Sequence, residues 1–63
     1  MEPHQQRVVD ELQALVVKRK ALSAFIGGPV FRYLPREDAD LLYCQVDVMQ
    51  DYAEVLSLRI SRF

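Results

Sequence analysis

The sequence predicts an all-α fold: an antiparallel two-helix hairpin, coiled-coil-like, that assembles into a homo-oligomeric bundle. Three observations carry this. Apolar residues recur with the three-four spacing of a helix rather than the alternation of a strand. The glycines and prolines inside the chain gather in one place, Gly27, Gly28, Pro29 and Pro35, so a single break separates two long segments. The chain has 63 residues, 51% of them hydrophobic, which makes one small unit that hides only about 60% of its unfolded surface when it folds alone.

Helix one is expected over residues 3–26. Val8, Leu12, Leu15, Leu22 and Ile26 follow alternating steps of three and four when Arg19 takes the missing place, and Val9, Val16 and Phe25 widen the stripe. Pro3 suits a first helical turn, where the absent N–H costs nothing. Gly27 or Gly28 suits a left-handed residue closing the helix.

The connector, 27–35, carries Val30, Phe31, Tyr33 and Leu34, which is too apolar for a solvated loop. Phe31 and Leu34 are expected to fold back and plug the closed end of the hairpin; an exposed hydrophobic recognition tip is the competing reading. Helix two is expected over 36–62. Pro35 precedes it, Glu37, Asp38 and Asp40 sit at the positive end of its dipole, and Arg59 and Arg62 sit at the negative end. Leu42, Gln45, Met49, Tyr52, Leu56, Arg59 and Phe63 repeat with heptad spacing, flanked by Leu41, Val48, Val55 and Ile60. A turn at 27–35 sets Leu15 near Asp47 and Val8 near Glu54. Helix two would be about 40 Å long at 1.5 Å per residue, so the hairpin is elongated.

Two rods with this much apolar surface cannot hide it all against one another. At about 25 cal/mol per Å², a few hundred Å² left in water forfeits several kcal/mol, comparable with the whole stability of a small domain. Self-association recovers that energy, as a symmetric dimer closing a four-helix bundle or as a higher ring. The expected oligomer interface is Leu41, Val48, Tyr52, Val55 and Leu56. Arg19, Gln45 and Arg59 fall on core-like positions, either to fix register and snorkel, or, for the two arginines, to line an anion pocket between protomers.

The chemistry of most enzymes is missing. His4 is the sole imidazole and Cys44 the sole thiol, so no internal disulfide and no zinc-type ligand set is expected. Cys44 reads as a small core or interface hydrophobe. Asp47, Asp51 and Glu54 form an acidic ridge, a solvated or docking face before a metal site. No phosphate loop or nucleophile elbow occurs, so neither catalysis nor a cofactor is expected. With 27% charged residues and no long apolar run, no membrane span is expected. The residues that follow Pro3 are unlike a secretory signal, which favours an intracellular address. A net charge of −1 argues against a nucleic-acid polymer as partner. A small anion is a different matter: Arg19, Lys20, Arg32, Tyr33 and Arg36 cluster near the turn in sequence and form the expected ligand- or partner-binding set.

The order Pro3-His4-Gln5-Gln6-Arg7-Val8-Val9-Asp10-Glu11, then Leu22, Phe25-Ile26, Phe31, Leu34-Pro35, Leu41-Leu42, Gln45, Met49, Tyr52, Val55-Leu56 and Arg59-Ile60, resembles a family of very short bacteriophage proteins first labelled from a crAss-like phage. The resemblance spans nearly the whole chain, although its motif is a hairpin pattern of low chemical specificity. Val16, Val17, Tyr43 and Cys44 depart from the pattern toward extra apolar surface. The resemblance implies a phage origin and action in the bacterial host cytoplasm, and supplies no activity. Two roles are compared: a self-associating binder of a host protein that inhibits host defence or regulation, and an oligomeric sponge, similar in architecture to phage nucleotide sponges, that sequesters cyclic nucleotide immune signals between protomers.

Overall fold

The computed structural model describes all 63 residues. Helix α1 runs Pro3–Ile26, a single 3-10 turn covers Phe31–Tyr33, and α2 runs Arg36–Ser61, packed antiparallel against α1. The molecule measures 46 × 15 × 13 Å, with a radius of gyration of 14.5 Å. A compact globule of this length would have a radius near 11 Å. The hairpin is therefore two helices thick and no more.

Local chemistry sets the ends. At the start of α1, the Glu2 N–H donates to Gln5 Oε1 at 3.0 Å, and Pro3 occupies the first turn without losing a bond. At its close, the Gly27 N–H donates to Ser23 O at 3.1 Å and the Gly28 N–H to Phe25 O at 3.0 Å. The left-handed cap expected at one of these glycines is not formed: Gly27 has φ −79° and ψ −4°, and neither glycine has positive φ. Crowding explains Gly28 better than conformational freedom does. A Cβ there would stand 3.3 Å from Phe25 O and 3.5 Å from Ala24 O. Helix α2 opens at Pro35 with Glu37 and Asp38 in its first turn and ends with Arg59 in its last, each charge matched to the helix dipole.

The core joins Val8 and Leu15 of α1 to Ala53 and Leu56 of α2, with Leu12, Met49 and Ile60 packed on it. On α2 the residues turned inward are Ala39, Leu42, Val46, Met49, Ala53, Leu56 and Ile60. This corrects the heptad expected from the sequence. Both readings contain 42, 49 and 56 and differ by one residue at each place between, where Gln45, Tyr52 and Arg59 are exposed and Val46, Ala53 and Ile60 replace them. The reason is energetic. A rotation of α2 that buries Val46 and Ile60 avoids desolvating Gln45 and Arg59, and Ala53 in place of Tyr52 lets the two backbones approach. Helix α1 keeps the expected seam, Arg19 included.

The connector folds back as expected. Phe31 is half-buried and meets Phe25 edge-on at 6.5 Å between ring centroids and Tyr43 edge-on at 5.3 Å. Leu34 is half-buried too, whereas Val30 and Tyr33 face solvent. No helix is long and apolar enough to cross a membrane.

Candidate functional site

The rotation that buries Ala53 and Leu56 turns a second apolar stripe of α2 outward. Leu41, Val48, Tyr52 and Val55 are 67%, 65%, 43% and 52% exposed. Steps of seven, four and three residues put them on one line along the helix, with Gln45 between Leu41 and Val48 and Arg59 extending the line beyond Val55. Four of the five expected interface residues thus lie along one exposed line of α2, broken by Gln45. The fifth, Leu56, is a correction: its side chain is wholly enclosed within the hairpin, so no second chain can reach it. Leu56 belongs to the heptad that both readings of α2 contain, and periodicity alone does not separate the inner line from the outer one.

The basic and aromatic set is dispersed. Arg32 and Tyr33 lie on the 3-10 turn and Arg36 opens α2, all exposed to solvent. Arg36 Nε stands 3.8 Å from Asp40 Oδ2 in an exposed pair, a geometry that contributes little to stability. Arg19 and Lys20 lie within α1, roughly 10 Å before its end at 1.5 Å per residue, so the five residues do not converge on one ligand in a single chain. Lys20 is exposed. Arg19 is the exception in chemistry: its Nε is buried without a hydrogen-bond partner. Arg59 lies in the last turn of α2, on the outer stripe near the open end, whereas Arg19 is a turn from Leu15 toward the closed end. The two arginines do not share a pocket within one hairpin.

The remaining polar candidates are solvent-facing. His4, Asp47, Asp51 and Glu54 are exposed, and Cys44, expected in a core or interface, is an exposed free thiol. The hairpin encloses no cavity. Tyr43 was legible only as an unusual residue; its part in sealing the turn comes from the fold, since its sequence gives no sign that Phe31 reaches it.

These features define a class: a slender all-α hairpin with no enclosed site, whose most extended apolar feature lies on the outside of its second helix. Sequence comparison sharpens this. A family model described as Sequestin matches residues 2–62, and the chain belongs to the Sequestin family. It is 37% identical over 60 residues to an uncharacterized 7.5 kDa protein from the denB-rIIB intergenic region of Enterobacteria phage T4, a match covering 95% of this chain and 94% of the phage protein. The expected kinship with short phage proteins is borne out. No solved structure matches the chain.

Proposed function

We propose that this phage protein works without catalysis: it self-associates and holds a host component, and by holding it inhibits host defence or regulation. The observation that carries this reading is the outward stripe of Leu41, Val48, Tyr52 and Val55 on a chain that encloses no cavity. Such a surface is made for covering by another chain, and a ligand site, where there is one, has to be built between chains. The family name, Sequestin, points toward sequestration. Sedimentation equilibrium at low micromolar concentration tests the first half: a dimer or larger assembly is the expected result, and a single copy at every concentration would refute it.

A second reading, an oligomeric sponge for cyclic nucleotide signals, is favoured by one specific observation, the buried and unpartnered Nε of Arg19. A charge-assisted hydrogen bond to an anion would give that N–H a partner. Exposed Lys20, Arg32, Tyr33 and Arg36 offer further charge and a stacking ring, and protomers would have to bring them together. Thermal melting with and without a panel of cyclic nucleotides separates the readings. A ligand at 100 times its dissociation constant stabilises the folded state by about 2.7 kcal/mol, a clear shift in melting temperature. No shift with any nucleotide favours a protein as the thing held.

A further inference from the structure

Resting on the self-association proposed above, we infer that the partner on the outer stripe is a second copy of this chain, with the two α2 helices antiparallel and crossing a two-fold axis at residue 50. The stripe is symmetric about that point. Val48 then faces Tyr52 of the other copy, Gln45 faces Val55, and Leu41 faces Arg59. The charges are self-complementary in this register. Glu37 and Asp38 lie in the first turn of α2 and Arg59 lies in its last, followed by Arg62, so each acidic end meets a basic end. A parallel pairing would set acid against acid at one end and base against base at the other.

The first helices agree with this arrangement. In an antiparallel pair of right-handed helices, the flank one residue before the seam faces the same side on both helices. On α2 that flank is the apolar stripe; on α1 it includes Glu11, Ala14, Lys18 and Ala21, all exposed. The two-fold axis that pairs α2 with α2 also sets α1 beside the other α1 and closes a square four-helix bundle. Two alanines on this flank, Ala14 and Ala21, permit close approach of the first helices.

Two variants and one native thiol test it. E37K/D38K and R59E/R62E each place like charges together at both ends of the pair and should dissociate at least tenfold more readily than the unaltered chain. Mixed in equal amounts they should form a 1:1 heterodimer as tightly as the unaltered chain does, with helix content by circular dichroism confirming that each is folded. Native Cys44 reports direction. The antiparallel register holds the two thiols about 18 Å apart at 1.5 Å per residue, so mild oxidation should leave the dimer uncrosslinked, whereas L41C/R59C in a C44S background should crosslink fully and L41C/C44S alone should not. A stable dimer that crosslinks through Cys44, or a mixture that fails to pair, overturns the register while self-association stands. A chain that stays single at all concentrations overturns both.

Discussion

Val55 and Leu56 are neighbours in sequence with opposite surroundings: Leu56 has 0% of its surface exposed and Val55 has 52%. One residue, a rotation of about 100° around the helix, separates the line that holds the hairpin together from the line that faces outward. Much of the behaviour of this protein turns on which of the two lines a substitution touches.

Leu56→Ala should therefore damage the fold itself. Leu56 is the most enclosed side chain of the small core, and removing such a leucine costs about 2–5 kcal/mol including the cavity term. Chemical denaturation followed by circular dichroism should show the midpoint collapse; an unchanged midpoint would mean that α2 is rotated differently from the arrangement described.

Val55→Asp should spare the helices and abolish association. Burial of a valine is worth about 1.5–3 kcal/mol, and a symmetric contact loses it twice while desolvating two carboxylates. Analytical ultracentrifugation should find a single copy whose far-ultraviolet spectrum is still helical. Undiminished association would remove the outer stripe from the interface.

Arg19→Met separates the roles of this half-buried side chain. Within the lone hairpin its Nε has no partner, and an unsatisfied buried donor costs about 1–3 kcal/mol, so the methionine variant should unfold at higher urea. A loss of stability would show that the guanidinium is satisfied in the assembled state, by another chain or by an anion.

The two glycines should respond differently. A Cβ on Gly27 would find its nearest neighbours at 3.7 and 3.8 Å, ordinary contacts, and its φ is negative. Gly27→Ala should raise stability by about 0.4–1 kcal/mol through the unfolded state. Gly28→Ala should gain less or lose, because its Cβ presses on Phe25 O at 3.3 Å. Equal gains in thermal melting at both sites would show that the turn yields freely.

The hairpin itself was legible because helix periods and a single Gly-Pro break leave little alternative, and Pro3, Pro35 and the charged ends of α2 mark its boundaries. The plug was legible too, since Phe31 and Leu34 are too apolar for a solvated connector. Which line of α2 turns inward was not. Leu42, Met49 and Leu56 serve both heptads, and the choice between them is made by Ala53, whose small side chain carries no signal until a second helix lies against it. The rings around Phe31 depend on Tyr43, distant enough in sequence that only the closed turn brings it near. The basic set looked compact because residues 32–36 adjoin the turn, but Arg19 and Lys20 stand about two turns back along α1, a separation that sequence proximity hides.

A body 46 Å long and only 15 by 13 Å across also has consequences for how such a chain can change over time. With four of its 63 positions enclosed and a half-buried seam packed around them, the many exposed sites can mutate without threatening the shape, since most surface substitutions in proteins alter stability by no more than about 0.5 kcal/mol. The outer faces of the rod can thus be reworked almost residue by residue while the scaffold beneath stays put.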